Sequence, residues 1–310
     1  FVQTYKLIHK WKGKNHMEHQ EYISKEQKQL RSKEIRKKRI NKFLKNRLSV
    51  LGFIMTCLIV IACFICPILS KQTYDAVNIA ESASAPSMEH IFGTDKLGRD
   101  LFIRCMAGGR YSIYIGVFSA VSSTVLGVIL GAIAGYFGGK IDSLIIRLTE
   151  IFQSFPQMVL VMIMVAVMGR GIGNILIIFT VTGWMSTARL VRNEFLAFKG
   201  ETFVKVAEAF GMSKIKVMFK EIIPNIMTPI IVSATAVIPG YILSEASLSF
   251  LGVGVADSIP TWGNIMNSAT SLGVITNYWW MWVIPAVLLT IFVLSVNFLG
   301  DGVRDLLDPR

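Results

Sequence analysis

"FVKVAEAFGMSKIKVMFKEIIPN", residues 203–225, is a charged stretch that lies between long apolar segments and carries four lysines and two glutamates. Apolar residues recur at helical spacing on either side of Gly211. They are Phe203, Val206 and Phe210 before it, and Ile215, Met218, Phe219 and Ile222 after it. Glycine can adopt the left-handed conformation that ends a helix, and Ser213 can cap the next one. The stretch therefore predicts a short helix, a turn and a second helix, each with one apolar face.

Composition places this charged stretch in a membrane protein. Of 310 residues, 53% are hydrophobic and only 17% are charged, whereas a soluble domain carries about a quarter. A spanning helix needs about 20 predominantly apolar residues. Six segments meet or approach this length: 48–70, 110–137, 143–168, 172–192, 226–250 and 280–300. We predict an all-α polytopic membrane helix bundle with six transmembrane helices.

Lysine and arginine are unevenly distributed about these segments. Residues 1–50 hold 15 of the 32, against four acidic residues. Cytoplasmic loops are enriched in these cations, which predicts that both termini and the loop 201–222 are cytoplasmic. Apolar residues repeat among the cations before residue 48, which indicates an amphipathic elbow helix on lipid headgroups within a basic tail, 1–47, and not nucleic-acid binding.

Few ionisable residues fall inside the predicted spans. Arg147 and Glu150 are three residues apart and are expected to pair on one helix face. Glu245 has no local partner, so it is either functional or a hydrogen-bonding lock between helices. In the second span, small residues occupy every fourth position, which lets a neighbouring backbone approach closely. They are Ser119, Ser123, Gly127, Gly131, Gly135 and Gly139.

The chain lacks sequence patterns for catalysis. It has no phosphate-binding G-x-x-x-x-G-K-[ST] loop, no H-E-x-x-H and no G-x-S-x-G. All four histidines lie outside the predicted spans, and three of them are loosely spaced in the basic tail. We therefore predict a non-enzymatic membrane protein with no metal site.

Other stretches carry a family resemblance, and they are "FGTDKLGRDLFIR" (92–104), "GGRYSIYIG" (108–116), "GYFGGKIDSLIIRLTEIFQSFP" (135–156), "SEASLSFLGVGV" (244–255), "PTWGNIM" (260–266) and "DGVRDLLDPR" (301–310). Together they resemble the C-type permease of dipeptide and oligopeptide ABC importers. The charged stretch resembles that family's ATPase-docking motif, with Gly211 and Pro224 fixing the register. Lys205, Val206 and Ala207 then stand where the family shows Glu-Ala-Ala.

The resemblance implies a type I ABC importer permease fold. Its core would be residues 110–303, preceded by a first transmembrane helix at 48–70 and an extracytoplasmic segment at 71–109, and followed by a cytoplasmic end at 304–310. The implied ATPase-docking residues are Lys205, Val206, Ala207, Glu208, Phe210, Gly211, Met212, Ser213, Ile215, Phe219 and Pro224.

The resemblance also implies partners. These are a second homologous permease, two ATPase subunits that hold ATP and Mg²⁺, and an extracytoplasmic substrate-binding protein, all at a bacterial cell membrane. This chain would hold no cofactor. Residues expected to face the binding protein are Asp95, Arg99, Asp100, Asp257 and Trp262.

Two alternatives remain open. A nickel or metal-chelate permease shares the same signatures, so the cargo is either a peptide or a chelate. A self-contained secondary transporter or channel would instead depend on a buried acid such as Glu245. Such a protein has no use for a docking loop, and this feature favours the importer.

Overall fold

The computed structural model describes residues 41–70 and 72–307, and within them the fold is helical with no strand. Residues 41–45 are helical, and residues 1–40 of the predicted basic tail lie outside the described residues. The principal helices are α1 Arg47–Leu69, α2 Leu101–Phe137, α3 Gly139–Gln153, α4 Gln157–Met168, α5 Ile172–Gly183, α6 Met185–Phe198, α7 Thr202–Ala209, α8 Lys214–Lys216, α9 Met227–Phe250, α10 Trp262–Met266, α11 Leu272–Asn277 and α12 Trp280–Leu307.

The membrane-spanning helices follow the sequence prediction closely. Among the described residues, five helices are long and apolar enough to cross a bilayer, with α5 and α6 counted as one. The pair α3 and α4 makes a sixth span if it is taken as one, although it bends by 88° around Pro156. Proline removes a helical hydrogen bond and disfavours a helical residue before it, which accounts for the break there.

Helix α2 begins earlier than the predicted span, at Leu101 and not near 110. Asp100 provides the reason, because its carboxylate accepts a hydrogen bond from the free backbone N–H of Ile103 at 3.0 Å. The helix is 37 residues long. At 1.5 Å per residue it measures about 55 Å, well beyond a hydrocarbon core of about 30 Å, so α2 extends past the apolar layer.

The predicted close approach of a neighbouring backbone to the row of small residues is confirmed, and the neighbour is α6. Gly127, Gly131 and Gly135 lie against backbone carbonyls of Trp184, Ala188 and Arg192 respectively. Gly139 does not belong to this row, because α2 ends at Phe137 and Gly139 starts α3 with open space around it.

Replacing Gly131 by valine is expected to separate α2 from α6. A Cβ there would collide with the Ala188 carbonyl oxygen and lie 2.9 Å from the Val191 Cβ. Overpacking of this kind destabilises by about 1–3 kcal/mol, which thermal unfolding in detergent would measure. Gly173→Val is the matched control, since nothing lies within 4 Å of a Cβ at that helical glycine. Equal melting temperatures for the two variants would contradict this packing.

The described ends of the chain meet at one end of the bundle. The Asn46 side-chain amide donates to the Asp305 carboxylate at 3.3 Å, and Lys42 lies 4.0 Å from the same carboxylate. Residues 202–225, called here the charged hairpin, lie at this end too. Helices α2 and α6 run toward this end, and α9, which follows the hairpin, runs away from it. We call it the hairpin end, and the other end carries residues 72–100 and 251–279.

Candidate functional site

The charged hairpin has the predicted helix, turn and second helix. Helix α7 ends in a Schellman turn: the N–H of Gly211 donates to the Glu208 carbonyl at 2.9 Å, and that of Met212 to the Ala207 carbonyl at 3.1 Å. Gly211 has φ of +80°, which only glycine adopts freely. Helix α8 then continues as a π-helix, Val217–Ile222, and ends after Ile223–Asn225.

Two details of the hairpin differ from the sequence prediction. Ser213 precedes α8, but its side chain makes no capping bond, and only its carbonyl accepts from Val217 N–H. The four apolar residues of the second helix do not share one face. Met218 and Ile222 are buried, whereas Ile215 and Phe219 are exposed. The sequence cannot tell the buried pair from the exposed pair, because the members of each pair are one helical turn apart. Only the position of the neighbouring helices decides which pair is buried.

One side of the hairpin is embedded in the bundle. Its buried side chains pack with residues of α2, α6 and α9 in a single apolar cluster: Val204, Val217, Met218 and Ile222 against Tyr136, Val191, Phe195, Ile226 and Ile230. Five apolar side chains of the hairpin are exposed instead, and they are called here the exposed ridge: Phe203, Val206, Phe210, Ile215 and Phe219. Phe210 is the most exposed of the five, at 88%, and a cluster of exposed apolar side chains is typical of an interaction surface.

Tyr136 anchors the hairpin to the end of α2. Its hydroxyl donates to the Glu208 carboxylate at 2.5 Å, and its backbone carbonyl accepts from Lys199 Nζ at 2.6 Å. Lys199 also lies over the Tyr136 ring, 5.5 Å from its centroid. Sequence reasoning missed Tyr136 and Lys199 because these contacts join residues far apart in the chain. These contacts fix the hairpin to the last turn of α2 and to the residue that follows α6.

A central cavity of about 550 Å³ lies between the α3–α4 bend, the α5–α6 junction and α9. Its lining is apolar with uncharged polar groups: Phe152, Gln153, Phe155, Gln157, Leu160, Thr182, Gly183, Met185, Ser186, Ala236, Val237, Gly240, Tyr241 and Ser244. Small-molecule sites have volumes of this order and similarly few polar groups. The sequence did not predict this cavity, since its lining comes from breaks in two spans.

Glu245 is fully buried in α9 and holds the end opposite the hairpin together. Its carboxylate accepts hydrogen bonds from Ser112 Oγ of α2 at 3.0 Å and from Ser249 Oγ at 2.7 Å. These hydroxyls in turn accept from the backbone N–H groups of Trp262 and Val255, at 3.2 Å each. Of the two predicted roles for Glu245, the geometry matches the lock, which joins α2, α9 and the loop after α9.

The predicted pairing of Arg147 with Glu150 is wrong. Both residues are exposed on α3, and neither forms an ion pair with any residue of the described chain. The ion pair on this helix joins Asp142 to Arg192 of α6, with two hydrogen bonds at 2.5 and 2.6 Å. Spacing on one helix predicted the wrong pair, because the partner that fixes α3 comes from another helix.

The predicted binding-protein face lies at the end opposite the hairpin, but most of its charges are bound within the chain. Asp95 accepts from Arg99 Nε at 2.6 Å and lies 3.6 Å from Arg104. Asp100 caps α2 and contacts His90. Asp257 is exposed and pairs with Arg170 at 2.7 Å.

Trp262 is not a surface residue. Its side chain has no exposed area, and its indole N–H donates to the Cys105 carbonyl at 3.0 Å. Its prediction as a contact for a binding protein is therefore wrong for the chain by itself. The structure does bring Asp95, Arg99 and Asp257 together around one cleft of about 220 Å³, beside Asn264 and Asn267.

His90 forms a charged cluster that sequence reasoning missed. Its Nδ1 lies 2.8 Å from the Asp100 carboxylate, and its Nε2 lies 3.1 Å from the Glu81 carboxylate. The hydrogen bond to Asp100, followed by that to Glu81, raises the pKa of the largely buried His90 above 6.5.

Within residues 41–70 and 72–307, no group of three His, Cys, Asp or Glu side chains is placed to hold a metal ion.

Stability of this segment is expected to depend on pH through His90. Because the pKa of His90 is raised in the folded state, the stabilisation that charged His90 provides is fully present below about pH 6.5. It is lost as the pH rises through the folded pKa. As the pH rises from about 6.5 to above the folded pKa of His90, the melting temperature of the wild type should therefore fall toward that of His90→Gln. Melting curves at a series of pH values would measure it. A constant difference between the two proteins at all pH values would contradict a charged His90.

Comparison with known proteins adds an independent finding. Residues 127–310 match the family described as binding-protein-dependent transport system inner membrane component, and residues 37–86 match the N-terminal TM domain of oligopeptide transport permease C. The oligopeptide transport system permease protein of Escherichia coli (strain K12) is 41% identical over 87% of this chain and 89% of its own length.

Two relatives from Bacillus subtilis (strain 168) are also similar. Its oligopeptide transport system permease protein is 36% identical over 87% of this chain and 88% of its own length. Its dipeptide transport system permease protein is 33% identical over 86% of this chain and 83% of its own length. The similarity therefore covers nearly all of the helical bundle described above.

Proposed function

This chain belongs to the binding-protein-dependent transport system inner membrane components, within the C-type oligopeptide and dipeptide ABC permeases, and on that basis we propose that it is one of two permease subunits of an ATP-driven peptide importer. It forms half of the translocation path, and it has no catalytic role. ATP and Mg²⁺ are held by two ATPase subunits, and an extracytoplasmic binding protein delivers di- or oligopeptides.

The observation that carries this proposal is the two-sided charged hairpin. One side is fixed to α2, α6 and α9 through Tyr136 and a buried apolar cluster, while the other presents an exposed apolar ridge. A soluble subunit that covers the ridge can push on the bundle without contacting the membrane. Closure of the ATPase pair would thus tilt the helices around the central cavity.

The central cavity is the proposed half of the translocation path. Its walls come from α9, the α3–α4 bend and the α5–α6 junction, and the interrupted helices can change angle more readily than continuous ones. A homologous permease would provide the facing half. The uncharged polar groups of the lining suit the amides of a peptide backbone.

Purification of the tagged chain in mild detergent from its native membrane tests the assembly. We expect a second permease and two ATPase subunits to co-purify, and the reconstituted complex with its binding protein to take up a labelled tripeptide only when ATP is present. Nickel uptake in place of peptide uptake would favour the chelate alternative. A chain that purifies alone and transports without ATP would contradict the proposal.

The proposed topology places the hairpin end in the cytoplasm of a bacterial cell and the cleft of Asp95, Arg99 and Asp257 outside. Single cysteines at Asp257 and Lys216, in a background without Cys57, Cys63, Cys66 and Cys105, test this. A membrane-impermeant maleimide on intact cells should label position 257 and not position 216. Labelling at 216 alone would invert the topology and remove the binding-protein face.

A further inference from the structure

The exposed ridge of the charged hairpin is bordered by positive charge. Lys205 immediately precedes Val206 on α7, and Lys214, Lys216 and Lys220 flank Ile215 and Phe219. All four lysines are exposed, and none of them forms an ion pair with a residue in the described part of the chain. The surface offered to a partner is therefore apolar at its centre and cationic at its border.

The two glutamates of the hairpin do not balance this charge. Glu208 is held by the Tyr136 hydroxyl, on the side that faces α2. Glu221 is partly buried, within the π-helix whose neighbours Val217, Met218 and Ile222 face the bundle. Glu208 is exposed but accepts the Tyr136 hydroxyl, and four lysines against two glutamates leave the hairpin with a net charge of +2 for a partner to meet.

The position of the hairpin favours a protein partner over a lipid surface. It is attached through Tyr136, at the last turn of α2. Arg192 and Asp142 pair at the same end of the bundle. The ridge therefore stands in a polar environment, where exposed phenylalanines gain from burial in a protein groove.

We propose that the groove receiving this hairpin is apolar at its base and acidic at its rim, so that the ATPase subunit places an aspartate or glutamate beside Lys205. This inference rests on the proposed function for the identity of the partner. Charge complementarity of this kind decides which partner is accepted, because placing like charges face to face at an interface is strongly unfavourable. An ATPase with a basic rim would be excluded.

Carbodiimide cross-linking of the purified complex tests the carboxylate directly. The reagent joins a lysine amine to a nearby carboxylate as an amide, with loss of the activated oxygen as urea. We expect a cross-link between Lys205 and an Asp or Glu of the ATPase, identified by mass spectrometry. Lys205→Arg is the matched control, since arginine keeps the charge but does not form this amide. A complex that assembles but never cross-links at Lys205 would overturn the proposal.

Retention of the ATPase by three variants separates this proposal from the proposed function. Lys205→Glu should reduce retention at low salt at least about tenfold, equivalent to 1.4 kcal/mol, with partial recovery at high salt as the repulsion is screened. Lys205→Arg should bind as the wild type, and Phe210→Asp should lose the ATPase at all salt concentrations.

Each contrary outcome has its own meaning. Full retention by Lys205→Glu together with loss in Phe210→Asp would reject the acidic rim and leave docking intact. Full retention by Phe210→Asp would reject docking at the ridge, and with it the coupling role. If Lys205→Glu loses the ATPase only in nanodiscs that contain phosphatidylglycerol and not in neutral phosphatidylcholine, Lys205 contacts lipid and the acidic groove is rejected.

Discussion

Glu245→Ala is expected to destabilise the protein by about 2–5 kcal/mol, the largest stability effect of any single polar residue described above. The change leaves the hydroxyls of Ser112 and Ser249 without their acceptor in a fully buried site. Each buried group without a hydrogen-bond partner costs about 1–3 kcal/mol of stability. The truncation also opens a cavity, which lowers stability further. Thermal unfolding in detergent and the amount of protein recovered from the membrane would measure the loss.

Two further variants determine what Glu245 does. Glu245→Gln keeps an acceptor for one hydroxyl and preserves the side-chain volume, so it should retain most of the stability and ATP-dependent peptide uptake. Glu150→Ala removes an exposed acid and should change stability by no more than about 0.5 kcal/mol. A Glu245→Gln protein that folds normally but transports nothing would show that transport requires an ionisable group there, as the secondary-transporter alternative holds.

Gly211→Pro is expected to abolish ATP-dependent uptake while the protein remains in the membrane at normal levels. Proline fixes φ near −65° and has no N–H, whereas this position has φ of +80° and donates to the Glu208 carbonyl at 2.9 Å. The turn between the two helices cannot form with this residue, so Phe210 and Ile215 would no longer present one ridge. Uptake of a labelled tripeptide into vesicles would measure the effect.

Gly211→Asn provides the control at the same position. Asparagine tolerates the left-handed conformation better than other side chains, and a Cβ at this glycine meets nothing within 4 Å. Uptake by this variant should therefore stay close to that of the wild type. Unchanged uptake by Gly211→Pro would mean that the hairpin does not couple the bundle to a motor. Equal loss in both variants would show that any side chain at this position is excluded, and not the turn geometry alone.

Several site predictions from the sequence failed for a common reason. Arg147 and Glu150 were paired by their spacing on α3, yet the pair that forms uses Asp142 and an arginine from α6. Trp262 was assigned to the binding-protein face with the loop that contains it, yet its side chain is fully buried and its backbone N–H donates to Ser112 of α2. In each case the deciding contact joins helices distant in sequence, and local periodicity contains no information about it.

Local physical rules were enough to determine much of this protein from its sequence. The length of the apolar segments determined the helical membrane class, because only helices satisfy their own backbone in lipid. Glycine spacing on α2 determined its close packing, and Gly211 determined the turn of the charged hairpin. These features depend on residues within a few turns of one another.

Only the tertiary structure decided which side chains remain exposed to a partner or to substrate. It buried Met218 and Ile222 but exposed Ile215 and Phe219, and it tied Glu208 to Tyr136. It formed the central cavity from interruptions in two separate spans and from one side of α9. The physical reason is that burial and hydrogen bonding are completed by whichever helix lies alongside, and helical periodicity defines the faces of a helix but not its neighbours.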